Sequence, residues 1–293
     1  MTTEEKHRLV MGREWYHSIQ IEPGLVTPGR KTARELSAMV ERIGLPSSLD
    51  GLSVLDIGAW DGFFSFEAER RGARRVVAYD LPPADTFGFA TAKAALGSRV
   101  EYVQGSVYDL SPGVVGTFDV VLFLGVLYHL RYPLLALDRI REVCDGYMLL
   151  ETQYLDECLV LADGRRVTLE GIDPRLVDVP LYRFYRSDEL HAGDFSNWFS
   201  PNRRAIEDGL WTAGFEPVYQ TAWGDRIAYR ARRLHGVPEY LQESYEGMRF
   251  ATKPDGTLDV IPSRTTPATP TRSRSVARQW LRRLRLRIRR WLA

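Results

Sequence analysis

Cysteine is scarce in this chain: of 293 residues only Cys144 and Cys158 are thiols. Two cysteines so placed give neither a zinc-ligand spacing nor a disulfide framework, and they fit a reducing compartment. Long apolar runs are missing, so no membrane span is expected. The opening segment, MTTEEKHRLV, has no apolar h-region, which excludes a signal peptide and makes a cytoplasmic location the expectation. The dinucleotide fingerprint G-x-G-x-x-G does not occur at the first glycine turn. Acidic residues stop at Asp259, beyond which ten arginines follow between Arg264 and Arg290. The whole chain carries +1; with those ten set aside, residues 1–259 carry −9. An acidic body and a basic tail are two different surfaces.

What is present centres on Leu52 to Gly62, LSVLDIGAWDG. Val54, Leu55 and Ile57 read as a buried strand ending near Asp56, and Gly58 and Gly62 read as a turn. FFSFEAERRGA then reads as a helix. Strand, glycine turn and helix N-terminus together let a ligand touch bare backbone. A second acid, Asp80, closes the next apolar run, RVVAYD, near the offset at which doubly wound folds place a carboxylate on a ribose. The pattern here is D-x-G-x-x-x-G, with Trp60 where a middle glycine could sit. That side chain would crowd a pyrophosphate, so the turn favours a nucleoside-type cofactor over NAD. The plainer reading is an ordinary strand-turn-helix.

Residues 1–45 read as a leader containing EWYHSIQIEPGLVTPG and a helical stretch ended by Gly44. An alternation of strands and helices follows, as in a parallel sheet. Strands are expected at 53–58, 75–80, 100–104, 118–125 and 146–152, and helices at 62–71, 86–96 and 133–144. Leu134, Leu137, Ile140 and Cys144 form the core stripe of the last helix. Residues 153–200 break the rhythm as an insertion suited to specificity. A helix ending at Gly214 and a hairpin around Gly224-Asp225 close the domain at 232. The expected class is α/β, a doubly wound, seven-stranded, mostly parallel Rossmann-like sheet with a terminal antiparallel hairpin. Residues 233–262 read as an extension. Residues 263–293 read as a Pro/Thr/Ser-rich linker and a basic amphipathic helix.

The order DIGAWDG, AYD, FDVVLFLGVLYHLRYPL and terminal hairpin resembles class I S-adenosylmethionine-dependent methyltransferases over residues 13–232. GVLYHLRYPL, WYHSI…VTPG and RIAYRAR look like the branch that holds the tRNA wobble-uridine 5-carboxymethyl transferases. The resemblance implies S-adenosyl-L-methionine as cofactor. It implies that Asp56, Gly58 and Gly62 line its methionine and ribose part. It sets Asp80 on the ribose hydroxyls, Ser106 and Val107 near adenine, and Leu124, Gly125 and Tyr128 beside the reacting group. It also aims Arg226 at the active site. A leader lysine that holds the carboxylate of a carboxylated cofactor in that branch has no match. Tyr16 and His17 follow Trp15, and the nearby lysine is Lys31, so plain S-adenosylmethionine is expected.

His129 reads as a general base or as a positioning histidine. Trp15 and Tyr16 read as a lid or as an anchor for the leader. His191, Asp194, Asn197 and Trp198 read as acceptor contacts, or as a packed loop in which Asn197 or Ser200 caps the following helix. Tyr154, Tyr182, Tyr185 and Tyr219 read as packing. The functional expectation is methyl transfer to an oxygen or nitrogen of a small-molecule or glycosidic acceptor. The alternatives are a tRNA methyl or carboxymethyl transferase and a non-catalytic cofactor-binding subunit. The −9 body argues against a broad RNA track. In the tail, Val276, Trp280, Leu284, Ile288 and Trp291 fall on one helical side, with Arg287 at the stripe's edge and Leu286 among the arginines. Residues 276–293 therefore suit an anionic membrane surface, peripheral on its inner face.

Overall fold

The computed structural model describes residues 1–161, 163–186, 194, 196–234, 249–252 and 258–261. The apolar runs become the strands β1 (Ser53–Ile57), β2 (Arg75–Asp80), β3 (Glu101–Gln104), β4 (Phe118–Leu124) and β5 (Cys144–Gln153). β6 (Phe215–Trp223) and β7 (Arg226–Arg233) form the terminal hairpin, joined by Gly224 and Asp225. All seven make one sheet in the order β6-β7-β5-β4-β1-β2-β3. The first five strands run parallel, and β7 lies antiparallel between β5 and β6. The expected doubly wound, mostly parallel sheet is therefore what forms. The chain winds outward from β1 to β3 and then crosses back to β4. This puts the switch of direction, and the natural ligand crevice, at the carboxyl ends of β1 and β4.

Helices cover both faces, which is why strands such as SVLDI are buried at every position. Here α1 is Thr3–Met11, α2 Ala33–Arg42, α3 Phe63–Arg70, α4 Phe89–Leu96, α5 Pro133–Val143 and α6 Arg203–Thr212. On one face Leu55, Val77, Phe123 and Leu150 pack with Ile140 of α5 and Leu210 of α6. On the other, Val54, Leu122 and Leu149 pack with Phe66, Phe89 and the leader residues Val10, Trp15, Ile19, Leu25 and Val40. The leader thus shares the sheet's core.

Several details differ from the reading by pattern. Residues 3–11 are helical, started by a capping box in which the Thr2 hydroxyl accepts from Glu5 N–H and the Glu5 carboxylate from Thr2 N–H. Cys144 does not end α5: its backbone is extended and it opens β5 opposite Phe118, though it stays buried. Neither Asn197 nor Ser200 caps α6. Asn202 does, its Oδ1 accepting from Ala205 N–H at 3.0 Å. Tyr154 and Tyr185 are packed, but Tyr182 and Tyr219 are 41% and 50% exposed. The insertion folds locally, with Leu159–Val160 pairing Arg166–Val167 and Tyr182–Phe184 pairing Phe199–Pro201.

The chain divides into two units, Met1–Val237 and Pro238–Ala293. In the second, Arg249–Thr252 and Leu258–Ile261 pair antiparallel. His191, the linker and the basic segment 276–293 lie outside the described residues. Among the described residues no helix is long and apolar enough to cross a membrane.

Candidate active site

The turn after β1 is tight. Gly58 has φ 74°, and a Cβ there would run into Val126 just beyond β4, so only glycine allows the two loops to touch. Trp60 is left-handed at φ 54°, a conformation that costs a side-chain-bearing residue about 1–2 kcal/mol. Two contacts hold it. Its N–H donates to Asp80 Oδ2 at 2.7 Å, and its ring lies flat on Phe87 at 3.6 Å. Leu81 N–H donates to Asp80 Oδ1 at 2.8 Å. Burial raises the Asp80 carboxyl, against those two bonds. Asp56 is buried at the end of β1 and accepts from Ser65 Oγ at 2.6 Å. Burial pushes its pKa up to about 7, with the Asp80 charge adding to the shift. Gly62, at φ 90°, starts α3; a Cβ there would meet Phe66 at 2.6 Å and Phe89 at 2.7 Å. That glycine allows α3 and α4 to close on one another.

Asp61, fully buried in the same turn, holds the leader. It accepts from Tyr16 N–H at 3.0 Å and His17 N–H at 2.8 Å, and its other oxygen meets His17 Nδ1. Trp15 is buried and donates from Nε1 to the Val10 carbonyl, so it anchors the leader rather than covering the turn. Tyr16 is half-exposed, its ring 6.3 Å from that of Trp60.

A second cluster stands at the ends of β4, β5 and β7. Leu124 closes β4, and Gly125 follows at φ 74°. A Cβ on Gly125 would lie within 3.6–3.8 Å of Tyr128 Oη, Glu151 Oε2 and Arg226 Nη2, so the glycine is the floor on which these three side chains meet. Arg226 forks onto Glu151, Nη2 to Oε2 at 2.7 Å with Nε on the other oxygen. It also donates to Tyr128 Oη at 3.3 Å, with its guanidinium 4.9 Å from the Tyr128 ring centroid. Burial alone would lower the Arg226 pKa, but Glu151 outweighs it and keeps the guanidinium charged. Burial raises the Tyr128 hydroxyl, which stays protonated.

His129 lies beside Tyr128, ring centroids 4.2 Å apart. Its Nδ1 is 2.9 Å from Ser196 Oγ, on the insertion. Burial lowers its pKa, and the nearby Arg226 acts in the same direction. Trp198 N–H donates to the Tyr128 carbonyl at 2.9 Å, tying the insertion to the same turn. The Ser106 hydroxyl caps the short turn Val107–Asp109 beyond β3, and its carbonyl accepts from Tyr79 Oη at 2.9 Å.

The structure thus gathers Asp56, Gly58 and Asp80 about the turn after β1 and Gly125, Tyr128 and Arg226 beyond β4, with Gly58 against Val126 joining the two groups. Reading by pattern missed Glu151, Asp61 and Ser196. For Glu151 a signal existed: a carboxylate inside the apolar run GYMLLET must be paired if that strand is buried. Asp61 passed as a turn residue, and no spacing announces a contact between residues 129 and 196. Among the described residues no group of three or more His, Cys, Asp or Glu could hold a metal ion.

Residues 29–220 match the methyltransferase-domain family. Among curated proteins, the chain is 26% identical over 231 residues to a tRNA U34 carboxymethyltransferase of Ectopseudomonas mendocina, covering 76% of this chain and 65% of that one. It is 36% identical over 163 residues to the same enzyme of Dichelobacter nodosus, covering 54% and 44%. It spans 44–65% of the length of the curated relatives that match it first. Among solved structures, the N-terminal domain of EvdMO1, determined with SAH and D-fucose, superposes with a TM-score of 0.53 at 18% identity, covering 80% of this chain and 98% of that domain. An O-methyltransferase family protein from Burkholderia thailandensis superposes at 0.50 with 18% identity, covering 69% and 57%.

The fold is the Rossmann-like methyltransferase fold. The chain belongs to the methyltransferase-domain family.

Proposed function

We propose that this chain transfers a methyl group from S-adenosylmethionine to an oxygen or nitrogen of a small-molecule or glycosidic acceptor. The observation that carries this reading is the Tyr128–Arg226–Glu151 cluster over Gly125, at the carboxyl end of β4 where the crevice opens. When bound, S-adenosylmethionine supplies a methyl carbon made electrophilic by a sulfonium.

The residues fit such a group. Each oxygen of Asp80 takes one backbone N–H, which leaves lone pairs for ribose hydroxyls. Asp56, a buried carboxyl facing the turn, gains a favourable partner when a cation arrives. Gly58 and Gly125 keep side chains out of the space between. Ser106 and Val107 take the adenine end. Tyr128 and Arg226 orient the acceptor, and the Glu151 charge offsets that of Arg226, which suits a neutral polar acceptor. What methyl transfer needs from a protein is alignment, a dry site and a base, and His129 is the base.

A second reading, a tRNA wobble-uridine methyl or carboxymethyl transferase, is favoured by the names of the curated relatives. The −9 carried by residues 1–259 opposes a broad phosphate-binding face on the body and leaves RNA contact to the arginine-rich tail. The test is transfer of radiolabelled methyl to fractionated small molecules, lipids and tRNA of the source cell. Label is expected in a small-molecule or glycosidic fraction; label confined to tRNA would establish the second reading instead.

A further inference from the structure

The geometry points to Asp194 and Ser196, two residues of the insertion, as the positioning residues that make His129 Nε2 the acceptor of the proton lost by a methylated hydroxyl. The inference rests on the methyl-transfer reading above and narrows its acceptor to an alcohol or phenol oxygen.

The tautomer of His129 follows from a count of protons. Ser196 Oγ donates to Asp194 Oδ1 at 2.6 Å. A hydroxyl has a single proton, and here it is committed to the carboxylate. Ser196 Oγ also lies 2.9 Å from His129 Nδ1, so toward the ring it can only accept. The other partner of Nδ1, the Ser196 carbonyl at 3.3 Å, is an acceptor as well. Nδ1 therefore carries the ring proton, and Nε2 presents its lone pair. The Asp194 carboxylate stands two hydrogen bonds from the ring, where it stabilises the imidazolium that forms when Nε2 is protonated.

The charged and titratable groups around His129 agree. Burial lowers the His129 pKa and Arg226 on β7 acts with it; the bond to the Ser196 carbonyl and the Asp194 charge favour the protonated ring but do not outweigh them, so the ring is neutral and ready to accept at neutral pH. Tyr128 and Glu151 stand beside Arg226 and are engaged with it. The relay is held by the insertion itself. Trp198 N–H bonds the Tyr128 carbonyl, Asn197 Nδ2 donates to the Asp194 carbonyl at 3.1 Å, and Gln153 at the end of β5 donates to the Phe199 carbonyl at 3.1 Å.

The step balances. The acceptor oxygen forms its bond to the methyl carbon, the carbon–sulfur pair leaves with sulfur, and the hydroxyl proton passes to Nε2 and then to water.

The test uses the full chain and two readouts. In the ligand-free protein, nitrogen NMR of the His129 ring, assigned by comparison with His129→Gln, should show Nδ1–H and a bare Nε2. Ser196→Ala should move the proton toward Nε2, and Ser196→Thr should restore the wild-type signal. With an alcohol acceptor, Ser196→Ala and Asp194→Asn should lower kcat about 100-fold and shift the acidic limb of its pH profile, with the KM for S-adenosylmethionine unchanged. An Nε2–H tautomer in the wild type, or one indifferent to Ser196→Ala, overturns the relay. Because the tautomer is read without cofactor or acceptor, failure of the relay and failure of the methyl-transfer reading are separate results.

Discussion

Asp61 and His17 are joined twice, once through the His17 backbone N–H at 2.8 Å and once through the ring nitrogen Nδ1. With the bond from Tyr16 N–H, one buried carboxylate fixes the path of the strand Trp15–His17 against the turn after β1. The leader is therefore part of the turn's architecture. Asp61→Ala leaves two backbone N–H groups without their acceptor, at about 1–3 kcal/mol each. The expected outcome is a clear fall in Tm and weaker S-adenosylmethionine binding by calorimetry. An unchanged Tm would show that the leader is held by its apolar contacts alone.

Asp56 sets a pH dependence whose sign can be worked out. Its folded pKa, about 7, lies above the ordinary 3.8, so the folded state holds the proton more tightly. The stability this contributes is fully present below about pH 4 and is lost as pH rises through about 7. Wild-type protein without cofactor should therefore lose Tm relative to Asp56→Asn across that window. A parallel pair of curves would mean that Asp56 ionises normally. With S-adenosylmethionine the trend should reverse, since a cation favours the carboxylate and affinity should rise with pH in the wild type alone.

Tyr128 and Glu151 should separate chemistry from stability. Tyr128→Phe removes one hydroxyl that meets Arg226 and is expected to lower kcat about tenfold, near 1.4 kcal/mol, with cofactor affinity intact. Glu151→Gln leaves the Arg226 charge without its partner and should cost about 3–5 kcal/mol of stability, read by urea unfolding. Equal losses of binding and turnover in Tyr128→Phe would return Tyr128 to a packing role.

The tail is tested without reference to the site. Full-length protein should sediment with anionic vesicles in a salt-sensitive way, because the Trp- and Leu-bearing stripe among the tail arginines suits an interface better than phosphate contacts alone. Truncation after Pro262 should abolish this and spare cofactor binding. Retardation of tRNA through the same tail, with no effect of vesicles, would overturn the membrane expectation.

The legible part of the fold was the part governed by periodicity. Buried parallel strands are continuous apolar runs, and VVLFL and MLLET announce themselves as such. Gly58 and Gly224-Asp225 were legible because each answers a local backbone demand. Glu151 and Arg226 lie on adjacent strands but 75 residues apart, and nothing local to either predicts the partner. The same holds for His129 and Ser196, 67 residues apart. The helix at 3–11 is readable from Thr2 and Glu5, which form a capping box three residues apart.

The placement of β7 between β5 and β6 has a consequence for biosynthesis. A ribosome delivers β5 long before its neighbour, so the nascent chain must carry an open, apolar sheet edge with the Glu151 carboxylate bare upon it. Only when residues 226–233 emerge can the last strand slide in, seal the edge and bring Arg226 to Glu151 in the same movement. A product truncated before Arg226 thus lacks the completed cluster.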